Sequence, residues 1–338
     1  MEKTMMRAFQ TLVIALGLVA ASGASAAEKY ELSISTYLPP SYEYIFKPLE
    51  SFAKRAEEKS QGRLKINIFH SGQLFDGYEE LAALSRGDID ITNFSGSYAG
   101  GSIPALNIFT LPFLLNDMPH LRRAVEKGLL DLGIKEELAS QHNAVILGVA
   151  PFDPYELYSR TDPVLKADDF KGKVWATTSA TDARAVQLLG GSPTGMSSSD
   201  LYLSFDRGVI NATPRPLITG MGRSLYEVVK HLSLVNLAVD TSILVINKSK
   251  FDALPKDLQD ILVESAKERD ADQFRRVDEY VKVALKKFED NGMKIHRISP
   301  EAREEMKAKT SQAITEWAAQ VPNGQAYLKM VAETASPN

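Results

Sequence analysis

Cysteine is absent from all 338 residues. That excludes disulfides, thiolate catalysis and cysteine-bound metal. A chain of this size can do without disulfide bridges because it can bury a large core. A basic excess is missing too: the formal net charge is −4, so the electrostatic footprint of a nucleic-acid binder is lacking. The five histidines, His70, His120, His142, His231 and His296, are scattered. None falls in H-E-x-x-H spacing, and neither a P-loop nor a G-x-S-x-G nucleophile elbow occurs. No cofactor or metal is implied. Internal repeats and low-complexity stretches are absent, and no run after the first 26 residues is long and apolar enough to span a bilayer.

What is present begins with an export signal. Met1 to Ala26 carries Lys3 and Arg7, an apolar run from Leu12 to Ala21, and the small-residue ending Ala24-Ser25-Ala26. This pattern predicts a cleavable signal peptide and a periplasmic mature chain starting near Ala27.

Beyond it, two hydrophobic periods alternate. Tyr30 to Ser35 and Leu64 to Phe69 alternate with period two and predict strands, as does Ile89 to Thr92. Helical spacing runs through Ile45, Leu49, Phe52, Ala53 and Ala56, and again over Tyr78 to Leu84. This strand–helix alternation predicts a parallel-rich α/β layer structure. Ala144 to Val149 predicts a buried strand, after which Pro151 and Pro154 mark a change of domain. Thr241 to Asn247 predicts a further strand. From Lys256 to Asp290 apolar residues recur at helical spacing, with a lapse around Arg269 to Gln273. The lapse argues against a coiled coil and for one long helix spanning two domains. Ser299-Pro300-Glu301 opens a last helix.

Six local patterns, in order, resemble the DctP-type solute-binding proteins of TRAP transporters. They are Ser60-Gln61-Gly62-Arg63-Leu64-Lys65-Ile66, Ser71-Gly72-Gln73-Leu74, Leu84 to Asp90, Asp169-Phe170-Lys171-Gly172-Lys173-Val174, Gly190-Gly191-Ser192-Pro193 with Leu201-Tyr202, and Leu254 to Gln259. Together they cover nearly the whole mature chain. The resemblance implies a two-domain α/β periplasmic binding fold with a hinge, crossing strands and a long domain-spanning helix. It implies an interdomain cleft for a small solute, and membrane permease subunits of the TRAP transporter as partners. It assigns domain I to residues 27–150 plus about 240–275, and domain II to 151–239 plus about 276–338.

The departures bear on the ligand. Counting back from Pro193, Trp175 falls where the family usually carries the arginine that grips a carboxylate. Counting back from Gly172, Glu156 falls where many acid-binding members have a second arginine. The usual G-x-h-D-G stretch reads Gly208-Val209-Ile210-Asn211-Ala212. Arg215 and Asp240 fall at or near positions that often contact ligand. An indole face and a carboxylate favour a cation. Cation–π contact with Trp175 is worth roughly 0.5–2 kcal/mol, and a charge-assisted bond to Glu156 adds to it. Tyr37, Tyr44, Phe94, Phe152 and Tyr155 would complete an aromatic box. The expected ligand is therefore a small amine or amino alcohol such as ethanolamine. The alternatives are a zwitterion, with its amine at Glu156 and its carboxylate at Arg215, or a carboxylate held by Arg215. Asp153 reads as a capping or surface residue, and Ser198 or Ser199 as a helix N-cap. A secreted hydrolase with an unrecognised site is the reading from another class, and turnover would distinguish it.

Overall fold

A computed structural model describes residues 28–335; the expected signal peptide lies outside them. Two mixed sheets form two lobes. The first has the order β2-β1-β3-β10-β4, built from β1 (Tyr30–Ser35), β2 (Leu64–Phe69), β3 (Ile91–Ser95), β4 (Ala144–Pro151) and β10 (Thr241–Asn247). The second has the order β11-β9-β5-β8-β6-β7. Its strands are β5 (Tyr155–Ser159), β6 (Val174–Thr177), β7 (Ser192–Gly195), β8 (Ala212–Pro216), β9 (His231–Leu234) and β11 (Lys294–Arg297).

The expected parallel-rich layer is interrupted once in each sheet, for a topological reason. The chain leaves the first lobe after β4 and returns through β10. A strand entering from the cleft runs against neighbours that end there, so β10 is antiparallel to both β3 and β4. By the same logic β5, the first strand of the second lobe, is antiparallel to β8 and β9. The remaining pairs, β1 with β2 and β3, β6 with β7 and β8, and β9 with β11, are parallel. The carboxyl ends of β1, β3, β6 and β8 therefore face one inter-lobe cleft, the usual place for a ligand in open α/β sheets.

Packing explains the long helix Lys256–Asp290. Its first half inserts Leu258, Leu262 and Ala266 beside Leu49, Phe52 and Ala56 under the first sheet. Its far end puts Ala284 and Phe288 against Tyr158, Leu217 and Leu232 of the second lobe. Where the apolar pattern lapses, Arg269 and Gln273 are buried all the same. Arg269 bonds Asn93 at 2.7 Å, Asp270 at 2.6 Å, and the Ser242 hydroxyl. Gln273 donates to the Pro151 carbonyl at 3.0 Å, at the first crossing between lobes. The lapse marks the stretch of helix that touches polar backbone at the hinge.

The C-terminal segment departs from its expected place in domain II. Helix Pro300–Gln320 does bind the second lobe, where Arg184 forms a two-pronged pair with Glu316 at 2.8 and 2.9 Å. Yet Trp317, Val321, Tyr327 and Val331 pack into the core of the first lobe. An apolar helix face shows in sequence that it is covered, not which core covers it. No helix among the described residues is long and apolar enough to cross a membrane.

Candidate ligand cleft

A small cavity of about 10 Å³ lies between the lobes. Tyr37, Ser95 and Tyr98 reach it from the first lobe, and Phe152 from the crossing segment. Tyr155, Thr178, Ser198, Arg215, Pro216 and Thr219 line it from the second lobe. As closed, it has room for about one water-sized group, so an organic ligand would enter with the lobes parted. The lobes are closed over it by direct hydrogen bonds. Tyr42 donates to Thr219 Oγ1 at 3.1 Å and Tyr78 to the Thr178 carbonyl at 3.1 Å. Ser198 N–H donates to the Tyr98 oxygen at 2.9 Å, and Ser197 to Asp76 at 3.1 Å.

Arg215 is the only charged side chain on this wall. It is 1 % exposed. Its two terminal nitrogens donate to the carbonyls of Pro214 and Met196, both at 3.0 Å. Its Nε is buried without a partner. No carboxylate pairs with it among the described residues. A second cation, Arg223, stands behind the wall, bonding the Tyr37 carbonyl and the Ser198 hydroxyl at 3.2 Å each.

Of the residues singled out from sequence, Tyr37, Phe152, Tyr155 and Arg215 line the cavity. Asp240 stands directly behind it, accepting from the hydroxyls of Tyr155 at 3.0 Å and Ser95. The other four lie elsewhere. Trp175 is fully buried in the second-lobe core, stacked face to face on Phe170 with centroids 4.2 Å apart. Its Nε1 donates to the Phe170 carbonyl at 3.3 Å. Gly191 makes room for it, since a Cβ there would come within 2.7 Å of the indole. Phe94 packs in the first-lobe core with Ile243. Tyr44 donates to Asp153 at 2.6 Å and meets Tyr280 edge-on.

Glu156 turns away from the cavity and holds the second crossing segment. Its Oε2 accepts the Val235 and Asn236 N–H groups, the latter at 3.0 Å, where Asn236 has φ +50°. Burial pushes its carboxyl up from 4.5 to about 8, with those two donors opposing. Asp153, expected as a cap or surface residue, is fully buried and does cap helix Leu217–Gly222 through the Leu217 and Ile218 N–H groups. Its carboxyl is raised by burial from 3.8 to about 6.

The sign of the Glu156 linkage yields a stability prediction. Below about pH 4.5 both states are neutral, and the buried carboxyl contributes in full. As pH rises toward 8 the unfolded chain ionises first, so that contribution is lost. Glu156→Gln keeps an acceptor for both N–H groups and cannot ionise. Its denaturation midpoint should match the parent near pH 4 and exceed it at pH 8, the gap opening by up to about 1.4 kcal/mol per pH unit. Parallel pH profiles for the two proteins would rule this out.

Sequence reasoning missed Ser95, Tyr98, Thr178, Ser198 and Thr219. Ser197, rather than Ser198 or Ser199, is the cap of the short turn that follows, and this frees Ser198 for the cleft. Ser95 closes β3 and Thr178 directly follows β6, at strand ends where α/β ligands gather. Among the described residues no group of three or more metal-ligating side chains converges.

Two lobes closed over a small polar cavity at strand ends define a hinged solute-binding protein. The chain belongs to the bacterial extracellular solute-binding protein family 7, the DctP family, whose profile matches residues 34–320. It is 30% identical over 259 residues to the sialic acid-binding periplasmic protein SiaP of Vibrio cholerae, covering 76% of this chain and 79% of that one. A TRAP periplasmic solute-binding protein of Chromohalobacter salexigens with bound D-glucuronate superposes with TM-score 0.85 at 23% identity, over 90% of this chain and all of that one. Another, from Sulfurospirillum deleyianum with bound succinate, gives TM-score 0.84 at 22% identity, over 91% of this chain and all of that one. Members of this family are periplasmic receptors rather than enzymes; they bind small solutes and work with membrane permease subunits.

Proposed function

We propose that this protein captures a small organic acid in the inter-lobe cleft, with Arg215 as its anchor, and presents it to a TRAP permease from the periplasm. The observation that carries this is the state of Arg215. A guanidinium buried without an acidic partner is costly, and its unpaired Nε and the adjoining cavity ask for an anion. A carboxylate suits the planar fork of donors. The relatives described above bind sialic acid, D-glucuronate and succinate, all of them acids.

An amine such as ethanolamine finds less support. Trp175 and Glu156, its two expected anchors, are engaged elsewhere, and a cation in the cleft would sit beside Arg215. A thermal-shift screen of refolded, ligand-stripped protein separates the readings. Ligands of the folded state raise its melting temperature. Shifts with small carboxylic acids and none with ethanolamine are expected. A shift with ethanolamine alone would sink the proposal.

A further inference from the structure

If Arg215 takes the ligand's carboxylate, as proposed above, Asp240 sets the character of the other pole. Asp240 is fully buried immediately before β10. Its Oδ1 accepts the Thr241 N–H at 2.7 Å. Its Oδ2 accepts the Tyr155 phenol at 3.0 Å and the Ser95 hydroxyl, and the Ser97 hydroxyl lies 2.8 Å from that of Ser95. Burial raises the Asp240 carboxyl, while Ser95, Ser97, the Thr241 N–H and Tyr155 pull it down by bonding the charged form.

An ionised carboxylate only accepts, and a hydroxyl has one proton to give. Ser95 and Tyr155 have committed that proton to Asp240. Both side chains line the cavity, and what they have left to offer there is lone pairs. Tyr98 is set the other way. Its oxygen accepts from Ser198 N–H, so its proton is free for an anion. A second ligand carboxylate at the Asp240 pole would meet lone pairs and a buried negative charge. It would have no cation on the wall beyond Arg215, which the first carboxylate occupies.

We infer that the cleft selects monocarboxylates whose far end carries an N–H or O–H donor, and that Asp240 imposes this by orienting Ser95 and Tyr155 as acceptors. Asp240 is thus a positioning residue for specificity, not a direct ligand contact.

Titration calorimetry with succinamate, butyrate and succinate on the refolded, ligand-stripped protein tests both poles. These share a chain length and differ at the far end in donor, nothing and second charge. Succinamate should bind tightest, about tenfold or more over succinate and severalfold over butyrate, because unmatched polar groups in a closed site discriminate strongly. Asp240→Asn should keep acid binding but narrow the succinamate-to-succinate ratio to about threefold or less, since an amide can donate and release the hydroxyl protons. Should that variant fail to fold, Tyr155→Phe with Ser95→Ala removes the same acceptors and should show the same narrowing. Succinate binding as tightly as succinamate overturns the acceptor pole. So does an unchanged ratio in every variant that folds. In both cases the Arg215 anchor is untouched. Acid affinity within about threefold of the parent in Arg215→Met overturns the anchor instead, and no binding by any of the three acids overturns both.

Discussion

Arg215→Met is expected to lower the affinity for a small acid by roughly 30-fold to several thousandfold, while leaving the empty protein at least as stable as before. Both halves have one cause. In the closed cleft a carboxylate would meet a desolvated guanidinium, and truncating one partner of such a pair costs about 2–5 kcal/mol. Without ligand the same guanidinium is a liability. It is 1 % exposed, bonded only to the Pro214 and Met196 carbonyls, with its Nε unpaired. Methionine removes that desolvated charge and keeps much of the buried chain, which offsets the donors lost by the two carbonyls. A purely structural arginine would behave differently, losing stability without a selective loss of binding. Denaturant melts of the empty protein, paired with calorimetry on an acid that binds the parent, separate the two. Acid affinity within about threefold of the parent would place the anchor elsewhere. Arg215→Lys should fall in between, since an ammonium keeps the charge and loses the planar fork.

The architecture was legible from sequence because it follows from period and punctuation. Alternation in Tyr30–Ser35 and Leu64–Phe69 became strands with Leu32, Ile34, Leu64 and Ile66 buried. The long helix was legible down to its polar lapse, which became the hinge contact of Arg269 and Gln273. The site was legible only in part, because a motif locates a residue along the chain, not in depth or on a face. Tyr155 and Glu156 are neighbours in β5; one reaches the cavity and the other holds the second crossing. Phe94 and Ser95 divide in the same way at the end of β3, core for one and cleft wall for the other. Arg215 was found through the family resemblance, and it lies at the cleft end of β8.

Trp175 shows the same limit and leads to the second large effect. It sits near the start of β6, and the cavity begins at Thr178, just past that strand's end. The indole is enclosed by Phe170, Val186, Leu189 and Ala212. Trp175→Ala should therefore cost about 3–5 kcal/mol of folding stability, from lost burial and the cavity left behind. It also forfeits the stacking on Phe170 and strands that residue's carbonyl. Acid affinity of the fraction that folds should stay within about threefold of the parent, since the cavity wall at Thr178, Ser198 and Arg215 is untouched. Trp175→Phe, which keeps a ring against Phe170, should recover part of the stability. The register of the family resemblance suggests the opposite pattern: little change in stability and a collapse of binding. Melts and titrations on the same two variants decide between a core residue and a ligand contact. Only the second outcome would revive a site built on an indole and a carboxylate.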